Sequence, residues 1–262
     1  MNSKSSLFSP EVLQAIQAAR TVYLSTHQHP DADGIGSELA WYHVLTRLGK
    51  KAVIANPDPL PANLGFLPGS EHVAVYREEA VKPDLLIVVD CPDAQRLGAA
   101  RRLLETAGAS LNLDHHPTNH RFATWNVVED HAAAGGEMVF ECVGQLEAVT
   151  GVALMNREAA AGLYAALLTD TGRFGYANTT VKTHEIASAL LGYGLDPYDF
   201  VRRLFEESSL GRLQLLARSM NTLQVSEDPP VAWMRVTRDM YEITRTTSED
   251  TEGFVNYPRG VQ

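Results

Sequence analysis

The chain has 262 residues, with 22 Lys and Arg against 32 Asp and Glu, a formal net charge of −10, and 45% hydrophobic residues. That composition suits a soluble protein with a substantial core and excludes disorder or collagen-like structure for the bulk of the chain. The longest basic clusters are the pairs Arg101-Arg102 and Arg202-Arg203, which argues against binding along a long duplex but leaves room for a small phosphorylated ligand.

The first β-rich run is Thr21 to Thr26. A polar Asp/Gly loop follows it, then a helix expected from Gly36 to Leu48 with Leu39, Tyr42, Leu45 and Leu48 on one face, closed by Gly49. Lys51 to Ala55 reads as the next strand. Asp84 to Asp90 is the clearest one, a continuous apolar run of the kind buried on both faces of a parallel sheet. Ser110 to Asp114 reads as another. Strand and helix alternating in this way predict an α/β fold, a mainly parallel sheet with helices on both faces.

From Ala132 helical periods dominate, over 136–150, 156–169, 180–191, 197–207 and 210–224. After the breaker Asp228-Pro229-Pro230, a strand returns at 231–236. The expected organisation is a catalytic domain at 10–207, a helical linker at 208–228 and the start of a second, smaller α/β domain at 229–262. Cys91 and Cys142 allow at most one disulfide. Met1 to Pro10 holds no signal-like apolar run, and no apolar stretch is long enough for a membrane span. The expectation is a cytoplasmic protein with no membrane partner.

Three of the strands end in metal-ligand residue types. The first leads into His27-Gln28-His29-Pro30-Asp31-Ala32-Asp33-Gly34, the second ends in Asp90, and the third in Asp114-His115-His116. In open α/β sheets ligands bind beyond the carboxyl ends of the strands, so neighbouring strands would bring these tips to one crevice. A fourth candidate is Asp170, at the end of the apolar run Leu167-Leu168-Thr169.

Mixed carboxylate and imidazole donors suit Mn²⁺, Fe²⁺ or Zn²⁺. Two such ions about 3.5–4 Å apart clamp a phosphoryl group for in-line displacement and need a bridging carboxylate. Asp90, alone at the tip of a buried strand, is the natural bridge, while Asp31 and Asp33 on a turn would face different ions. Taken singly, each feature has a plainer reading as a turn, a strand-end stop or a packing histidine. Asp31-x-Asp33-Gly34 also begins like a calcium loop, but Tyr42 stands where the loop's Glu belongs. The third Gly of a dinucleotide fingerprint, a phosphate-binding P-loop and a serine-hydrolase elbow are all missing from the sequence. Cys91 reads as a buried strand-end thiol rather than a nucleophile.

Together, His27-x-x-Pro30-Asp31-x-Asp33-x-x-Gly36-Ser37, Val88-Val89-Asp90, Asp114-His115-His116 and Thr169-Asp170-Thr171-Gly172 resemble the four ordered motifs of the DHH phosphoesterase family. Leu163 to Phe174, Asn178-Thr179-Thr180 and Asp250 to Pro258 are most similar to its bacterial nanoRNase and pAp-phosphatase branch. The resemblance implies two divalent metal ions, Mn²⁺ in the family, one on His27, Asp31 and Asp90 and the other on Asp33, Asp90, His115 and Asp170. It also implies that Asp114 orients a ligand and that His116 contacts the scissile phosphate. His29 matches no ligand position.

Substrates implied by the resemblance are short single-stranded oligonucleotides, cleaved to 5′-nucleoside monophosphates, and pAp. Cyclic dinucleotides or their linear products are the first alternative and pyrophosphate or polyphosphate the second. A metal- and nucleotide-binding module with little turnover is the non-enzyme alternative. Relatives continue past the Asn-Tyr-Pro segment into a substrate-gripping domain with a Gly-Gly-His motif, which this chain lacks before Gln262. Unpaired strand edges left by a shortened second domain favour association, so a homodimer is a further expectation.

Overall fold

The computed structural model describes residues 7–78, 82–251 and 253–261; Met1–Ser6, Glu252 and Gln262, which belong to stretches read above, lie outside them. Short aliphatic runs form six strands: β1 (Thr21–Ser25), β2 (Lys51–Asn56), β3 (Val73–Val75), β4 (Leu85–Val89), β5 (Ala109–Asp114) and β6 (Trp125–Val128). All pair in parallel, in the order β3-β2-β1-β4-β5-β6. Every residue of β4 is buried, as a central parallel strand requires. The three strands with polar tips, β1, β4 and β5, are adjacent. The strand order reverses between β1 and β4, the point at whose carboxyl ends open α/β sheets bind their ligands.

The helices of this region are α1 (Pro10–Ala18), α2 (Ala32–Arg47), α3 (Arg102–Thr106), α4 (Gly135–Thr150), α5 (Arg157–Asp170), α6 (Val181–Leu191) and α7 (Pro197–Val201). Alternation along the strands sends side chains to both faces. Tyr23, Leu86 and Val88 pack with Ala55, Cys91, Leu97, Ala100 and Leu103, so the β4–β5 connection covers one face. On the other face α2 packs against α5 and α4.

Helix α2 begins at Ala32 rather than Gly36, because the Asp31 side chain accepts hydrogen bonds from the Asp33 and Gly34 amides and caps it. The stretch expected as a loop is therefore a helix N-terminus. The helix expected over 197–207 is α7 followed by a π-helical turn, Arg202–Glu206. The short or half-exposed elements α1, α3, β3 and β6 went unpredicted.

The chain divides into two compact units, Met1–Leu204 and Phe205–Gln262. The second holds α8 (Leu210–Met220), the antiparallel pair β7 (Gln224–Glu227) and β8 (Pro230–Trp233), α9 (Arg238–Thr244) and α10 (Asn256–Arg259). The stretch read as a helical linker, 208–228, is thus helix followed by a hairpin strand. The strand expected at 231–236 is shorter and pairs with β7, because the chain turns back at Asp228-Pro229. No described helix is long and apolar enough to cross a membrane.

Contact between α2 and α5 depends on two glycines. A Cβ on Gly36 would run into the Gly162 carbonyl oxygen, and one on Gly162 into that of Gly36. Because Asp170 ends α5, this close crossing also fixes where that carboxylate stands. Gly36→Ala is expected to lower stability by about 1–3 kcal/mol in urea denaturation; an unchanged midpoint would contradict the crossing.

Candidate metal centre

His27 follows β1, Asp90 follows β4, and His115 and His116 follow β5, while Asp31 caps α2 and Asp33 lies in its first turn. Asp170 closes α5. All of these side chains meet beyond the sheet. His27, Asp31 and Asp90 form one group whose candidate ligand atoms lie within 4.8 Å of one another; Asp33, His115 and Asp170 form a second, and Asp90, His115 and His116 a third. Nε2 of His27 is 3.3 Å from Asp90 Oδ2 and 3.9 Å from Asp31 Oδ2. Nε2 of His115 is 3.2 Å from Asp170 Oδ2, 3.4 Å from Asp90 Oδ1 and 3.6 Å from Asp33 Oδ2. Asp90 therefore stands between two histidines, one oxygen toward each.

Asp90 has φ 50°, a left-handed backbone that few non-glycine residues adopt. Its amide still donates to the Leu113 carbonyl at 2.9 Å, so the turn away from β4 follows directly on the last ladder bond. Local strain of this kind gathers at functional sites.

Electrostatics set these groups against one another. Burial would raise the Asp90 carboxyl, but His115 and His27 outweigh it and hold the group below the usual carboxylate range. Burial pushes Asp33 well up, and the charges of Asp170 and Asp90 push it further. Burial lowers His115, yet Asp170, Asp90 and Asp33 overcome that and raise it to about 12.

The donor set fits divalent metal. It combines imidazole nitrogens with carboxylate oxygens, and two buried atoms in it, Asp90 Oδ1 and His115 Nε2, make no hydrogen bond. Cations there would relieve the carboxylate repulsion and give those atoms a partner.

Residues 21–167, more than half of the chain, match the DHH family, N-terminal domain. The chain belongs to the DHH family. It is 36% identical over 205 residues to a bifunctional oligoribonuclease and PAP phosphatase NrnA of Thermus thermophilus, a match that covers 78% of this chain and 59% of that protein. Its Bacillus subtilis counterpart is 28% identical over 247 residues, 94% of this chain and 75% of the relative. Among solved structures, an exopolyphosphatase-related protein from Bacteroides fragilis superposes with a TM-score of 0.88 at 24% identity, over 95% of this chain and 75% of that one. A putative family II inorganic pyrophosphatase from Methanococcus jannaschii has a TM-score of 0.52 at 18% identity, over 76% of this chain and 65% of that one. These two share the fold. The chain's relatives include NrnA proteins, and it spans 59% of the length of the Thermus one.

Within the DHH centre, Asp114 supports His116: Nδ1 of His116 donates to Asp114 Oδ1 at 2.8 Å, and this bond above all raises the imidazole's pKa. The Nδ1 of His115 is 3.3 Å from the Ala132 carbonyl oxygen. Asn119 donates to Asp114 Oδ2 at 2.5 Å and to Asn112 Oδ1 at 2.7 Å, bracing the carboxylate from behind. Sequence reasoning missed Asn119, although it lies three residues past His116.

Also missed were Gly135 and Gly136. Their amides, at the start of α4, donate to the two Asp33 oxygens at 2.6 and 2.9 Å. A Cβ on Gly136 would strike that of Ala166, so the glycines let α4 come close enough to hold Asp33. His29 is exposed and belongs to none of the clusters formed by the described residues; its amide donates to Asp58 Oδ2 at 2.8 Å. The Cys91 thiol is pushed up to about 12 by burial and donates to the Asp93 carbonyl oxygen at 3.2 Å, which makes it a poor nucleophile.

A buried polar chain ties the strand ends together beneath His27. The Thr26 amide donates to Asn56 Oδ1 at 3.1 Å, its hydroxyl to the Val89 carbonyl at 2.9 Å, and Asn56 Nδ2 to Glu38 Oε2 at 2.7 Å. Glu38 is fully buried, its Oε1 makes no hydrogen bond, and burial pushes its carboxyl up from 4.5 to about 8.

Folding above pH 4.5 therefore requires Glu38 to take up a proton that the unfolded chain has released. Its stabilising contribution is complete below about pH 4.5 and is lost as pH rises through about 8. Glu38→Gln cannot titrate. Relative to wild type, it should gain about 1.4 kcal/mol per pH unit across that window, read from urea denaturation at pH 5 and pH 7.5. A difference that stays constant between the two pH values would contradict a neutral buried Glu38.

Proposed function

We propose that this DHH-family protein is a Mn²⁺-dependent phosphohydrolase that removes 5′-nucleoside monophosphates from very short oligoribonucleotides and the 3′-phosphate from pAp. The observation that carries the reading is the placing of Asp90 between the His27–Asp31 and His115–Asp33–Asp170 groups, with His116 beside it at 3.5 Å. His27, Asp31 and Asp90 would hold one ion, and Asp33, Asp90, His115 and Asp170 the other. Two such ions supply Lewis-acid stabilisation to a phosphoryl group.

The protein's own residues do the rest. His116 has a 37% exposed side chain, while Asp114 behind it is fully buried. With Nδ1 held by Asp114, the imidazole keeps Nε2 as its remaining donor, and its raised pKa favours the cation. Such a group stabilises negative charge on a phosphoryl oxygen as the P–O bond breaks. Asp31 and Asp170 are the more exposed ligand carboxylates, with side chains 44% and 23% exposed, so they mark the open side where a phosphate enters.

Relatives named as oligoribonuclease and PAP phosphatase support the choice of substrate, although the Thermus match spans only 59% of that protein. The net charge of −10 suits a ligand with few phosphates better than a long polyanion. The experiment is turnover, with Mn²⁺, of a 5′-labelled trinucleotide, pAp, the linear dinucleotide pApA, cyclic di-AMP and pyrophosphate. The trinucleotide and pAp should be preferred, and His116→Ala should lower turnover about 10²–10³-fold. Preference for pyrophosphate would contradict the substrate. If wild type and His116→Ala bind the trinucleotide and are equally inactive, the chain is a binding module.

A further inference from the structure

Arg96 lies in the 3-10 stretch Ala94–Arg101 that follows β4. Its backbone is tied to the centre, since the Gln28 amide donates to the Arg96 carbonyl at 2.7 Å. Its half-buried guanidinium reaches the centre as well: Nη2 is 2.8 Å from Nδ1 of His27. Among the described residues Arg96 has no carboxylate partner, whereas Arg203 and Arg238 each have one and Arg102 and Lys182 each have two.

The hydrogen-bond chemistry at His27 does not balance with Arg96 as a permanent partner. Nδ1 is also 2.7 Å from the Gln28 carbonyl oxygen, which can only accept, while the guanidinium can only donate. One ring nitrogen cannot serve both. A His27 that gives Nε2 to a cation carries its proton on Nδ1 and donates it to the Gln28 carbonyl. The Arg96 N–H group is then left beside the centre with no acceptor there. A guanidinium next to a site built for cations also adds like charge, a cost that no structural hydrogen bond requires. An incoming phosphate dianion offsets that charge and offers oxygens matched to the planar fork.

We propose that Arg96 is a phosphate-binding residue of this centre, which exchanges the His27 ring for a non-bridging phosphoryl oxygen when His27 Nε2 becomes a metal ligand. The inference rests on the phosphohydrolase reading and deepens it: the substrate phosphate is gripped from the His27 side by Arg96 and from the β5 side by His116. It also assigns a grip to the catalytic unit's own loop.

The test uses the full chain as wild type, Arg96→Gln and Arg96→Lys. AMP is the phosphate-bearing probe and adenosine the control. Calorimetry reads binding of each with Mn²⁺ present, and elemental analysis reads the bound Mn²⁺. Expected in Arg96→Gln are unchanged Mn²⁺ content and thermal midpoint, an AMP Kd weakened about tenfold or more, and unchanged adenosine binding. Arg96→Lys should restore part of the AMP affinity, because it keeps the charge and loses the fork.

Equal AMP affinity in wild type and Arg96→Gln would overturn the assignment. So would loss of Mn²⁺ in Arg96→Gln, which would make Arg96 a mere support for His27. A wild-type protein that takes up Mn²⁺ and binds no AMP would overturn the phosphohydrolase reading itself.

Discussion

A carboxylate at the tip of a fully buried strand has little freedom, and Asp90 is placed so that each of its oxygens faces a different histidine. The neighbouring elements position the groups that face it. β1 and β5 flank β4 in the sheet and bring His27 and His115 to either side, and α2 and α5 cross through paired glycines to deliver Asp33 and Asp170. Four carboxylates within a few ångströms would repel one another strongly. Two imidazoles, the amides at the start of α4 and the cations that this donor set suits are what make the cluster tenable.

The supporting residues fall into distinct groups. Asn119 and Asn112 hold Asp114, which holds His116. Thr26, Asn56 and Glu38 join the ends of β1, β2 and β4 beneath His27, at the cost of a buried carboxyl kept neutral. The centre thus has rigid polar backing on the strand side and an open side lined by Asp31, Asp170 and His116. A phosphate must approach from that open side, where the proposed function and the Arg96 inference both place it.

Much of this was legible in the sequence because residues that bind metal must carry donor atoms, and the donors follow apolar runs that read as buried strands. Asp90 and Asp114-His115-His116 stand at the junctions where such runs end, and Asp170 stands where an apolar helix ends. What stayed hidden depends on long-range contacts. The bonds of Gly135 and Gly136 to Asp33 join residues about a hundred positions apart. Arg96 meets His27 across 69 positions. The early start of α2 was hidden for a different reason: an Asp expected as a ligand is also the helix cap. In the second unit the helical period read over 210–224 ends at Met220, because β7 is a short, largely exposed strand with no apolar run to announce it.

The claim on which the rest turns is that Asp90 serves two metal sites at once. Titrating wild type and Asp90→Ala with Mn²⁺, with bound metal counted after gel filtration, tests it most directly. Two ions per wild-type chain and none retained by the variant is the predicted result. Two ions held by Asp90→Ala with wild-type affinity would contradict it.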